Sequence, residues 1–140
     1  MKYYAVIDTN VIVSGLISKN SDSAAVKVLR EVLGGRITPL YHDEIIAEYD
    51  EVLHREKFHL QDLTIQVVLS AIREYGLKVL PAPTGEILTD MDDLIFYEVA
   101  MEKRSDNSWL VTGNLKHYPA RSFIVTPAEM MDILDGKNLS

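Results

Sequence analysis

Cysteine is absent from the 140 residues, so the chain has no disulfide framework, no thiolate nucleophile and no thiolate metal site. Any metal is left to oxygen or imidazole donors, and the lack of thiols suits a reducing cytoplasm. Long apolar runs are missing as well, since no segment reaches the ~18 apolar residues of a membrane span. The opening MKYYAVIDTNVIVSGLIS comes nearest to a secretory signal, but a single Lys precedes its apolar run and Asp8 and Asn10 interrupt it. Basic residues are scarce: 14 Lys and Arg stand against 21 Asp and Glu, a net charge of -7. That balance argues against binding nucleic acid mainly through a basic face. Nucleic-acid chemistry stays open, because bound cations can bridge an acidic pocket to phosphate oxygens.

What is present fits a soluble globular chain, with 47% apolar and 25% charged residues, and the length suits one domain spanning residues 1–140. Tyr3 to Ile7 reads as a short buried strand whose carboxyl end opens into a loop at Asp8, Thr9 and Asn10. Ala25, Val28, Leu29, Val32 and Leu33 recur at helical spacing, between capping residues Ser21 to Ser23 and the stop signal Gly34-Gly35. A strand at Ile37 to Leu40 precedes a helix from about His42 to His54, with Ile45, Tyr49, Val52 and Leu53 on one face. A further helix carries Ile65, Val68, Leu69 and Ile72, and Leu77 to Leu80 predicts a third strand ended by Pro81 to Gly85. Then come a helix from about Asp93 to Lys103, strands at Trp109 to Thr112 and Phe123 to Val125, and a last helix opened by Pro127. This alternation implies a mainly parallel sheet covered by helices on both faces.

In such sheets ligands sit outside the carboxyl ends of the strands. Asp8 occupies one such end, although a strand-end Asp also serves as a turn former or helix cap. Glu48 lies three residues after Ile45 and four before Val52, inside the apolar stripe. A carboxylate there needs a partner, which is a buried Arg, water at the edge of the stripe, or a metal shared with Asp8. Asp43, Asp50 and Glu51 fall off that face and read as solvated charge. In Asp90-Met91-Asp92-Asp93, Asp90 or Asp92 can cap the following helix, while Asp93 stands on the buried side, one turn ahead of Tyr97. Thr112-Gly113-Asn114 ends a strand with a hydroxyl, a flexible backbone and an amide, and reads equally as a turn or as part of a site.

Together Asp8-Thr9-Asn10-Val11, Ser14-Gly15-Leu16, Glu48, Asp92-Asp93 and Leu110-Val111-Thr112-Gly113-Asn114 resemble the PIN domain family. The likeness is to its short stand-alone members classed as toxin components of toxin–antitoxin pairs (VapC-like), and it runs in order from about Tyr3 to Val125. It implies a three-layer α/β/α fold around a five-stranded sheet, Mg2+- or Mn2+-dependent ribonuclease activity on an RNA substrate, an antitoxin protein partner and a homodimer. The family's three acids fall on Asp8, Glu48 and Asp93, its polar residues beside the first acid on Thr9 and Asn10, and its hydroxyl before the last acid on Thr112. The sequence departs from the pattern at Asn114, where many members carry a fourth acid, and one fewer carboxylate weakens the hold on a second cation.

Three carboxylates in one pocket repel one another, and a divalent cation relieves that repulsion. Hydrolysis by an activated water would then leave a 5'-phosphate and a 3'-hydroxyl. Two rival readings stand beside this one. One is a module that keeps the fold and binds RNA or protein without cutting; the other uses Asp8 as a covalent phosphoryl acceptor, for which Asn10 stands where a second Asp is needed. His42 and His117 read as surface or capping residues, with no spacing that suggests zinc. Lys19, Arg104 and Lys116 are lone cations within reach of a phosphate only if the fold brings them there, and Trp109 and Phe123 read as core.

Overall fold

The computed structural model describes residues 2–137. Its centre is β1 (Tyr3–Ile7), whose alternating neighbours Ala5, Val6 and Ile7 are all buried, as a strand covered on both faces requires. β2 (Ile37–Tyr41) and β4 (Trp109–Val111) flank it, while β3 (Leu77–Lys78) and β5 (Ile124–Val125) form the edges, giving the order β3-β2-β1-β4-β5. Every neighbouring pair is parallel. The helices are α1 (Thr9–Ile17), α2 (Ala24–Leu33), α3 (Asp43–Leu53), α4 (Asp62–Tyr75), α5 (Leu94–Glu102) and α6 (Pro127–Leu134). α5 packs on β1, β2 and β4; α2 and α4 pack on β2 and on each other, and α2 also meets α1 and α6. This is the three-layer α/β/α arrangement with a parallel five-stranded sheet that the sequence implies. Among the described residues no helix is long and apolar enough to cross a membrane.

Two local expectations change. Where a loop was expected after β1, α1 starts at once: Asp8 is its N-cap, with extended backbone and a side chain that accepts from Thr9 N at 2.8 Å. The helix follows because Val11 and Ile12 are buried and because Gly15 lets α2 come close. A Cβ at Gly15 would stand 3.0 Å from the Ala25 carbonyl oxygen and 3.1 Å from the Leu29 side chain. The third strand is also shorter than expected. After Leu77 and Lys78 one more ladder bond forms, from Val79 N to Tyr41 O at 2.8 Å, and Pro81 has no N–H with which to continue. By contrast α5 begins at Leu94, where its helix was expected, behind a single 3-10 turn over Met91–Asp93 that Asp90 caps by accepting from Asp92 N.

The order of the strands creates the site. From β1 the chain moves one way to β2 and later returns to place β4 on the other side, so the connections diverge at the carboxyl ends of β1 and β4. On the β4 side the ladder runs to the end of β1, with Ile7 opposite Val111 and Asp8 N donating to Val111 O at 2.9 Å. On the β2 side the register stops at Ala5 opposite Pro39. The Ile7 carbonyl instead accepts from the buried Tyr49 hydroxyl, which ties α3 to the end of β1.

Candidate functional site

Asp8 is 5% exposed and both its oxygens are engaged. Oδ1 accepts from Thr9 N, while Oδ2 accepts from Thr112 Oγ1 at 2.8 Å, Tyr118 OH at 3.1 Å and Asn10 Nδ2 at 3.3 Å. Thr112 is fully buried and extends β4, donating its N–H to Val125 O at 2.9 Å. Its hydroxyl also accepts from Asn114 N at 3.0 Å, so the turn after β4 is built around the Thr112–Asp8 bond. Asn10 closes the other side: its Oδ1 accepts from Gly113 N at 3.0 Å. Thr9, Asn10 and Thr112 thus hold Asp8 at the place where β1 and β4 part.

Glu48 reaches the same cleft from α3. Tyr49, beside it, fixes the helix against Ile7, and Glu48 accepts a hydrogen bond from the Thr9 hydroxyl. Among the described residues no Arg pairs with it, and its half-buried carboxylate faces the open cleft. Asp93 arrives from the turn before α5 with a side chain 15% exposed, and its Oδ2 is buried without a hydrogen-bond partner. His117 Nδ1 lies 3.4 Å from that oxygen, and His117 Nε2 is hydrogen-bonded to the Asn114 side-chain amide at 3.0 Å. Asp8, Thr9, Asn10, Glu48, Asp93, Asn114 and His117 all line one cleft of about 490 Å³.

Charge in this cleft is poorly compensated. Among the described residues no Lys or Arg stands within ion-pair distance of Asp8, Glu48 or Asp93; only His117 approaches Asp93. All three acids are raised above their ordinary values. For Asp8 desolvation outweighs the hydrogen bonds from Thr112, Tyr118 and Thr9 that favour its charged form. For Glu48 desolvation comes first, opposed by the Thr9 hydrogen bond and reinforced by Asp8 and Asp92. Asp93 is pushed up to about 6 by desolvation and then by the charges of Asp8 and Asp90. Burial raises the Tyr118 hydroxyl as well, and the neighbouring Asp8 adds to the effect, so it remains a donor.

Among the described residues no three His, Asp or Glu side chains stand as a ready-made metal-ligand group. The donor set nevertheless fits a divalent cation. It offers carboxylate oxygens without an organic counter-ion, and one of these, Asp93 Oδ2, is buried and unpartnered, a state that costs free energy until something pairs with it.

Several residues flagged in the sequence lie elsewhere. His42 caps α3, its Nδ1 accepting from Glu44 N at 3.0 Å, in keeping with a capping role. Arg104 turns inward, donating to Ser108 O and lying over the Phe123 ring at 4.7 Å and the Trp109 ring at 5.9 Å. Lys19 and Lys116 do not line the acidic cleft. Lys116 lines a larger cavity of about 630 Å³ beside it, bounded by Tyr118, Pro119 and Arg121 and free of acidic side chains. His117 keeps the exposure expected of a surface or capping residue, its side chain being 44% exposed, and it also lines the cleft beside Asp93. The sequence reading missed Tyr118 and Arg55, the latter lining the cleft with its guanidinium 3.0 Å from Glu51. Nothing local marks Tyr118; its bond to Asp8 spans 110 positions.

Residues 4–116 match the family model described as PIN domain. No curated protein matches the chain. The matched span runs from the second residue of β1 into the turn after β4, and with it includes Asp8, Glu48, Asp93 and Thr112; the chain belongs to the PIN domain family, whose members are generally nucleases.

Proposed function

We propose that residues 1–140 act as a single Mg2+- or Mn2+-dependent endoribonuclease domain, the toxin of a toxin–antitoxin pair, working in the cytoplasm as a homodimer until an antitoxin protein neutralises it. One observation carries the nuclease reading: Asp8, Glu48 and Asp93, 85 positions apart at the extremes, line one cleft at the carboxyl edge of the sheet, and among the described residues no Lys or Arg stands within ion-pair distance of any of them. In this reading the three acids hold the ion. Asp8 Oδ1 has a single donor, Thr9 N, and keeps acceptor capacity for a ligand, whereas Oδ2 is committed to Thr112, Tyr118 and Asn10. When bound, a divalent cation supplies Lewis-acid activation of water and neutralises phosphate charge. The chain's own part is to orient: Thr9 holds Glu48, the β4 turn holds Asp8, and Arg55 at the rim meets an RNA phosphate.

Because the nucleophile in this reading is water, products carry a 5'-phosphate and a 3'-hydroxyl; recovery of 2',3'-cyclic phosphate ends would rule the mechanism out. For the toxin role, expression arrests growth and Asp8→Asn abolishes the arrest. A monomer mass in light scattering would contradict the homodimer. A second reading, a PIN fold that binds RNA or protein without cutting it, draws on Asn114 in place of a fourth acid and on the saturation of Asp8 Oδ2. It predicts that metal raises the melting temperature while no RNA is cut.

A further inference from the structure

We propose that His117 takes the place of the missing fourth acid, its Nδ1 and the Asp93 Oδ2 serving as a mixed nitrogen–oxygen ligand pair for the cation, with Asn114 steadying the imidazole from behind. The inference rests on the metal-dependent reading above and adds to it a ligand that gives the site its ion preference. Three observations carry it. Asp93 Oδ2 is buried and has no hydrogen bond. His117 Nδ1 faces it at 3.4 Å, too far for a good hydrogen bond, yet close to the ~3.0–3.4 Å between neighbouring ligands of one small ion bound at about 2.1 Å. The far ring nitrogen, Nε2, is already occupied by the Asn114 side chain at 3.0 Å, as the second nitrogen of a metal-ligating His nearly always is by some polar partner.

Asn114 fits this role better than an acid would. As it stands, its Nδ2 donates to Nε2 and leaves the ring proton on Nδ1. A half-turn of the amide presents Oδ1 to an Nε2–H and leaves the Nδ1 lone pair facing Asp93, with no other heavy atom displaced. The position where the sequence departs from the family pattern therefore serves the imidazole rather than the ion. The chemical consequence is selectivity. Magnesium is satisfied by oxygen donors and gains little from imidazole, whereas first-row transition ions gain steadily along the series.

The test is metal binding by the purified full chain without RNA, using isothermal titration with Mg2+, Mn2+ and Co2+ and the visible absorption of bound Co2+. Co2+ should bind at least about tenfold more tightly than Mg2+. His117→Ala should lose tenfold or more on Co2+ with a change under threefold on Mg2+, and should alter the cobalt spectrum. Asn114→Ala should lose about tenfold on Co2+. His54→Ala, which removes a surface imidazole held between Asp50 and Asp62, serves as control for adventitious cobalt and should leave the cleft's spectrum unchanged. If His117→Ala misfolds, His117→Asn replaces it. Equal losses on both ions, or no loss on either, would overturn the proposal while leaving the metal reading intact. A wild-type chain that binds none of the three ions would overturn both.

Discussion

Two carboxylates of one cleft are treated in opposite ways. Asp8, at the end of the central strand, is more deeply buried and receives four hydrogen bonds, from Thr9 N, Asn10, Thr112 and Tyr118. Asp93, on a single 3-10 turn, buries an oxygen that receives none. The first carboxylate closes the fold, joining β1 to the turn after β4. The second is a liability within the protein alone, and in the proposed reading a bound cation offsets it. Placing the strain on a short turn instead of the central strand leaves the core intact, which is where folds tolerate functional strain.

The comparison is broken most directly by removing each acid in turn, in chelator at pH 7. Asp8→Ala strips the acceptor from four donors and should destabilise by about 3–5 kcal/mol, read by denaturant unfolding. Asp93→Asn should move the other way and stabilise. Loss of stability in both variants would erase the distinction. Tyr118→Phe removes one donor to a charged acceptor and should cost about 1.5–2 kcal/mol, raising Asp8 further by loss of a bond that favours its charged form.

Asp93→Asn carries its own pH signature. Its folded value of about 6 lies above the ordinary 3.8, so ionisation penalises the folded state. Its contribution to stability is complete below about pH 4 and lost as pH rises through about 6. The variant should therefore gain about 1 kcal/mol over wild type at pH 7–8, or about 4 °C in melting temperature, with no gain at pH 4. The size is discounted because Asp93 retains part of its water. The smallest effect is expected for Asn114→Asp, which adds a fourth negative charge. It should lower the unfolding free energy in chelator by less than about 1 kcal/mol and increase the stabilisation given by saturating Mg2+.

Much of this was legible in the sequence, and what was not has physical causes. Strand-end position marked Asp8, and Glu48 was marked by falling within an apolar stripe. In both cases the signal is a costly polar group where burial is dictated by its neighbours. The strand–helix alternation also gave the sheet. α1 escaped because Val11 to Ile17 is apolar on nearly every side and contains Gly15, so its periodicity is weak and its start depends on a cap that reads equally well as a turn. β3 escaped in length because an edge strand is held by one neighbour only. The Tyr118 bond to Asp8 and the approach of His117 to Asp93 escaped for a different reason: they form only because β4 pairs with β1 in one register, and no local pattern states a register between segments about 100 positions apart.

If the acidic cleft cuts RNA with a divalent cation, as proposed, cutting depends on both the ion and Asp8. The measurement that tests it most directly is cleavage of end-labelled RNA by the purified chain in Mg2+, Mn2+ or chelator, beside an Asp8→Asn protein prepared identically. Cutting should require metal and fall by about three orders of magnitude in the variant, as expected when a group acting in the transition state is lost. Cutting that persists in chelator or in Asp8→Asn, or none by the wild-type chain across varied RNAs and both ions, would contradict it.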